Sequence, residues 1–73
     1  MKELIFIGNQ VTDYKDKQYV ISTFIDVENY HILRGTNLSK SDKLVKGSKY
    51  LCDVDVKYSK KENNFIFFVT DAE

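Results

Sequence analysis

A chain of 73 residues has room for one hydrophobic core and no second domain, and at this size only about 60% of the unfolded surface is buried on folding. An apolar content of 42% with 14% aromatics excludes wholesale disorder, and no apolar run approaches the ~20 residues of a membrane-spanning helix. The zero net charge hides a polarised molecule, because Arg34, Lys40, Lys43, Lys46 and Lys49 are opposed only by Asp42, five cations against one anion. A positive end on a small protein suggests a polyanionic partner.

Leu4 to Ile7 is a continuous apolar run closed by Gly8-Asn9. It predicts a buried strand that bends or bulges at Gly8 and can continue through Gln10-Val11-Thr12. Asp13 to Lys17 is polar and hairpin-like. Gln18 to Val27 is β-branched and aromatic, which predicts a long second strand. Asn29 permits a turn, and Tyr30 to Arg34 predicts a third strand ending at Gly35-Thr36-Asn37.

Leu38 to Lys46 is the one stretch with helical character. Ser39 and Asp42 make a weak capping-box pattern, Gly47 sits where a helix would end, and Leu38, Leu44 and Val45 would share an inner face. Ser48 to Ser59 alternates clearly: Tyr50, Cys52, Val54, Val56 and Tyr58 point one way, Leu51, Asp53, Asp55 and Lys57 the other. Carboxylates are costly to bury, so the first set faces the core. Lys60 to Asn64 reads as a hairpin turn, Phe65 to Thr70 as the fifth strand, and Asp71-Ala72-Glu73 as a polar tail. The fold class is therefore all-β. Three strands, a short helix and two strands is the order of a five-stranded oligonucleotide/oligosaccharide-binding (OB) barrel. An SH3-like barrel is the alternative, but it usually lacks its largest insert between strands three and four.

Catalysis has little support, since His31 is the only histidine and there is no phosphate loop, zinc spacing or serine elbow. Asp53 and Asp55 could share a metal, but a solvated face that blunts strand pairing is the simpler account. Cys52 alternates with core residues and reads as a small hydrophobe. No cofactor or metal is expected, and a lone cysteine fits a cytoplasmic protein. Binding chemistry is better represented. Single-stranded nucleic acid is held by aromatic platforms, each stacked base contributing roughly 1–3 kcal/mol, and by cations along the phosphates. Tyr14, Tyr19, Tyr30 and Tyr58 lie at strand ends or hairpin shoulders, beside lysine or near Arg34. An OB barrel binds on the outer face of strands two and three, flanked by the first and last hairpins, which here carry Lys15, Lys17, Lys60 and Lys61. Strand two offers two outward sets: Tyr19, Ile21, Thr23, Ile25; or Val20, Ser22, Phe24, Asp26. Period-two counting puts the more polar second set outward, and a bulge would reverse part of this.

Lys17-Gln18-Tyr19 opening strand two, Arg34-Gly35-Thr36 ending strand three, and Lys46-Gly47-Ser48-Lys49-Tyr50 opening the late hairpin are similar to a known pattern. Over about residues 14 to 70 the chain resembles the small single-stranded DNA-binding proteins of filamentous phages, the gene V type. The resemblance implies a homodimer that coats single strands cooperatively, with Tyr19 and Ile21 on the DNA-binding face and Tyr58 or Phe65 as a hairpin aromatic contacting DNA. The chain departs from that pattern in its single arginine, in a hairpin tip without an aromatic, and in the Asp53/Asp55 pair, which would repel DNA.

The expectation is a cytoplasmic, non-sequence-specific binder of single-stranded DNA or RNA, homodimeric, from a phage or mobile element. Tyr19, Tyr30 and Tyr58 would stack bases beside Ile21, while Arg34, Lys40, Lys43, Lys46, Lys60 and Lys61 would neutralise phosphates. The alternative is a small module docking on a host or replication protein through an open strand edge or an apolar patch. The outward acidic pair and the surplus of Ile and Phe favour it.

Overall fold

The computed structural model describes residues 1–73. Strands β1 (Lys2–Tyr14), β2 (Lys17–Asp26), β3 (His31–Thr36), β4 (Lys49–Ser59) and β5 (Asn64–Ala72) form one sheet. It closes on itself in the order β1-β2-β3-β5-β4. Every neighbouring pair is antiparallel except β3 and β5, which meet in parallel at Arg34 and Phe68 alone. Closure depends on β1 and β4 each serving two neighbours. Lys2 to Ile5 pair with β4, while Ile5 to Tyr14 pair with β2.

Two irregularities set which side chains look inward. The β1–β2 register shifts between Phe6 and Gly8, where Gly8 takes a φ of +154° that side-chain-bearing residues rarely adopt. The β4–β5 register shifts between Asp53 and Val54, so that Thr70 is the extra residue on β5. Lys15 and Asp16 both have positive φ, 50° and 64°, as a two-residue type I′ hairpin turn requires.

Only 11 of 73 residues are buried, and the core is Leu4, Phe6, Phe24, Leu33, Leu38, Cys52, Val69 and Ala72. The rings of Phe6 and Phe24 meet at 5.4 Å. With so few apolar contacts, the buried polar groups on β2 matter. Ser22, Phe24 and Asp26 face inward, so period-two counting by polarity is corrected here. The reason is partnership. Ser22 Oγ donates to Asn9 Oδ1 at 2.6 Å. Asp26 is held by Lys2 Nζ at 2.7 Å, Asn29 Nδ2 at 2.9 Å and the Glu28 N–H at 3.1 Å. A satisfied polar group can be buried where an unpaired one cannot.

The expected short helix between β3 and β4 is absent. Leu38 to Lys46 contains one 3₁₀ turn, Ser41–Lys43, with no side-chain cap. About two turns of helix cannot sustain themselves, and here bonds to other parts of the chain hold the segment and its two flanks instead. The Asn37 N–H donates to Val20 O, Asn9 Nδ2 donates to Ser41 O, the Val45 N–H donates to Tyr50 Oη, and the Gly47 N–H donates to Phe6 O, at 2.7–2.8 Å. Leu38 is buried and Leu44 half-buried, but Val45 is exposed. Tyr30 belongs to the β2–β3 turn (φ +57°) and not to β3. The polar tail is also corrected: β5 runs through buried Ala72, and Glu73 exchanges both backbone hydrogen bonds with Leu51.

At Gly35, a β-carbon would lie 2.8 Å from Val69 O and 2.9 Å from Leu38 Cδ2. Both β5 and the covering segment press on this position, so Gly35→Ala should destabilise the fold by about 1–3 kcal/mol in a urea melt. A second expectation concerns Asp26, whose carboxyl is lowered from 3.8 to about 2, first by the Lys2 bond and then by Asn29. A depressed carboxyl contributes stability that is present above its unfolded value and lost as pH falls through the folded one. The stability difference between wild type and Asp26→Asn should therefore be constant above pH ~4 and shrink towards pH ~2 in denaturant melts.

Candidate nucleic-acid interface

With Ser22, Phe24 and Asp26 turned inward, strand alternation leaves Tyr19, Ile21, Thr23 and Ile25 on the outer face, all half-buried. The β2–β3 register sets Ile25 beside Ile32, Thr23 beside Arg34 and Ile21 beside Thr36. Across the parallel contact Arg34 meets Phe68, and on β4 Asp55 meets Phe68 while Lys57 meets Ile66. Because β3 and β5 share one bridge pair, the sheet is splayed along that seam. A groove of about 610 Å³ follows it, lined by Ile32, Arg34, Thr36, Lys57, Ile66 and Phe68, with Phe67, Val69 and Thr70 completing it.

The groove combines an aromatic ring, two cations and an apolar floor. Lys57 Nζ sits 5.6 Å from the centroid of the Phe68 ring, a cation–π arrangement. Arg34 is exposed, and neither it nor Lys57 is in an ion pair; the two ion pairs are Lys2–Asp26 and Lys49–Glu3. Two unneutralised cations thus flank an aromatic ring on an apolar floor. On the β4 side Asp53 stands opposite Asp71, and Asp55 beside Phe68. Asp55 is thus the ladder neighbour of Phe68 on the side away from Arg34, and none of the three carboxylates lines the groove.

The expected residues divide among several regions. Tyr19, Ile21 and Arg34 share the outer face. Lys40, Lys43 and Lys46 lie on the segment beyond the C-terminal end of β3, and the Lys46 side chain packs over Gly8. Tyr30 stands at the opposite end of β3, 85% exposed. Tyr58 points to the other face of the β4–β5 hairpin from Lys57; its ring packs 5.3 Å from Phe65 and its hydroxyl bonds Asn63. Lys60 and Lys61 occupy that hairpin's tip. Phe68 and Lys57 were missed as site residues. The signal existed, because Phe67 and Phe68 are consecutive in a strand and cannot both face the core.

Elsewhere the structure holds little chemistry. No group of three metal-ligating side chains occurs, and no helix is long and apolar enough to cross a membrane. Cys52 is fully buried, and burial, helped by Asp53 and Asp71, raises its thiol to about 11. No protein-family model, curated protein or solved structure matches this chain.

A thiol both enclosed and held protonated is a poor nucleophile. Cys52 should stay silent towards a disulfide reagent such as DTNB at pH 8 in the native protein and react fully once urea unfolds it.

Proposed function

We propose that this chain is an OB-like barrel that binds single-stranded nucleic acid, DNA or RNA, without strong sequence preference. The binding surface is the β3–β5 groove together with the outer face of β2. The observation that carries this reading is the pairing of Phe68 with two cations, Arg34 and Lys57, that no carboxylate neutralises. The ring order, with its insert between β3 and β4, favours the OB arrangement over an SH3-like one. It brings the outer face of β2–β3 between the first and last hairpins, where such barrels bind.

A base arriving at Phe68 displaces the Lys57 ammonium from the ring, and that ammonium then takes the adjacent phosphate. The planar Arg34 guanidinium donates two parallel hydrogen bonds to a neighbouring phosphate. Ile21, Ile25 and Ile32 support sugars and ring edges, and Tyr19 offers a further platform towards the β1–β2 hairpin. Every base has a π-face, so such a site tolerates sequence. Lys40, Lys43 and Lys46 extend the positive field to a strand leaving past Thr36. Lys60 and Lys61 do the same at the hairpin tip. A second reading, docking on a host or replication protein, draws on the apolar inner face of the β4–β5 hairpin.

Fluorescence titration with oligo-dT should show log affinity falling with log salt, with a slope near −0.7 per phosphate contacted. Arg34→Ala should weaken binding by roughly tenfold, as loss of a hydrogen bond to a charged group implies, and flatten that slope by about one contact. Tyr19→Ala should lower affinity while the thermal midpoint holds. A salt-independent isotherm, or binding indifferent to Arg34, would remove the reading.

A further inference from the structure

β4 runs beyond the strand that covers its outer edge. It pairs with β1 only over Lys49 to Cys52, and with β5 as far as Ser59. Leu51 exchanges both backbone bonds with Glu73, so alternate residues from Leu51 turn their backbone groups towards β5 and the residues between turn theirs the other way. At Tyr50 and Cys52 that other side is β1. At Val54, Val56 and Tyr58 it is an edge on which no strand lies. The Val56 N–H finds its acceptor locally, in Oδ1 of the preceding Asp55 at 2.8 Å. An open edge of this kind is a template for another chain. Its two faces differ in chemistry. Val54, Val56 and Tyr58 lie on the apolar side, facing Val69, Phe67 and Phe65 across the ladder, and Val56 and Tyr58 are 46% and 50% exposed. On the opposite side Asp53 and Asp55 stand with Asp71, and none of the three is in an ion pair.

We propose that this edge takes up an extended segment of a partner protein, added antiparallel to β4 in line with β1, with apolar side chains alternating with basic ones. Such docking rests on the second reading above. It is independent of the nucleic-acid one, because β4 and β5 both stand between this edge and the β3–β5 seam. In strand addition the backbone bonds supply affinity and the alternate side chains supply selectivity. A carbonyl of the incoming strand takes the Val56 N–H from Asp55, which frees that carboxylate for a cation on the same strand. No hydrogen bond is lost in the exchange. Opposite charges facing one another across a ladder stabilise it and like charges oppose it. Lysine or arginine therefore suits the positions facing Asp53 and Asp55, and glutamate does not. Valine or isoleucine between them continues the apolar side formed by Val54, Val56 and Tyr58. A second copy of β4 would bring two further aspartates to the same rim, so a basic segment is the better match.

The probe is a fluorescein-labelled, end-blocked peptide of about seven residues that alternates valine and lysine. Anisotropy titration with the full chain should give a dissociation constant on the order of 10–100 µM, because ordering a free segment offsets part of its contacts. Hydrogen exchange read by NMR should show the amides of Val54, Val56 and Tyr58 gaining protection when peptide is added. Those of Asp55 and Lys57, already in the β4–β5 ladder, should change little. The double substitution Asp53→Asn and Asp55→Asn keeps the shape of both side chains and an acceptor for the Val56 N–H. It should weaken the peptide at least fivefold without lowering oligo-dT affinity. Arg34→Ala should leave peptide affinity unaltered, which separates failure of this edge from failure of the nucleic-acid site. Methylating the peptide's backbone nitrogens should abolish binding with no change of charge. Equal affinity for the methylated peptide would overturn strand addition while leaving docking on the apolar face intact. Equal affinity for a peptide with glutamate in place of lysine would overturn it too, as would binding that leaves the three amides unprotected. So would a self-associated protein whose β4 edge is already protected before peptide is added.

Discussion

Two buried polar side chains determine which face of this protein meets solvent. Ser22 and Asp26 sit on the inner side of β2, each satisfied by a residue of β1, Asn9 and Lys2 respectively. Had those partners been lacking, burying a hydroxyl and a carboxylate would cost several kcal/mol, and a one-residue slip would exchange the two faces of the strand. With the partners in place, the apolar set Tyr19, Ile21, Thr23 and Ile25 is turned outward. Three large apolar side chains thus stay half-buried outside a core of only eight apolar residues. The outer face beside the groove is apolar because β2 keeps its polar side chains inside.

The second condition is the loose seam between β3 and β5. One bridge pair closes the sheet there, and Gly35 allows the approach by leaving room for Val69 O and Leu38. A fully laddered junction would lie flat. The splayed one holds an open trough whose rigid walls are strands and not loops, so Arg34 and Phe68 are placed by the sheet itself. The division of energy follows from this placement. Lysines on exposed loops are screened within about 8–10 Å at ordinary ionic strength, whereas a stacked base contributes about 1–3 kcal/mol irrespective of salt. On the proposed reading, affinity would reside mainly in the groove, with the lysines of the β3–β4 segment acting more on encounter than on residence.

Much of this architecture was legible in the sequence, and the parts that were not share a cause. Five strands, the break near Gly8 and the inward placement of Cys52 and Val54 follow from local alternation and turn chemistry, which a chain carries in any context. The helix over Leu38 to Lys46 failed because its competitor was tertiary: Asn9, Val20, Phe6 and Tyr50 engage that segment's backbone or side chains from distant strands. The face of β2 was misjudged by polarity for the same reason, since Asn9 and Lys2 lie 13 and 24 positions from the residues they satisfy. Arg34 and Tyr19 could be nominated from residue type alone. That they share a face, and that Tyr58 does not, depends on register.

Register also decides which way Phe68 points. Counting back from buried Ala72 in strict alternation, Thr70 and Phe68 would point inward, and Val69 and Phe67 outward. The extra residue at Thr70, tied by its hydroxyl to Asp53 O at 3.3 Å, reverses that count. Val69 enters the core, Phe67 turns to the side of Val56 and Tyr58, and Phe68 turns out beside Arg34 and Lys57. β4 has no matching irregularity, so its outward residues stay charged (Asp53, Asp55, Lys57) and its inward ones apolar (Val54, Val56, Tyr58). The hairpin is thereby sorted into a face with Asp53, Asp55, Lys57 and one aromatic ring, next to Arg34 of β3, and a face with rings and no ionised side chain. A single inserted residue in β5 separates the two, and without it Phe68 would face inward while Phe67 stood among the charges.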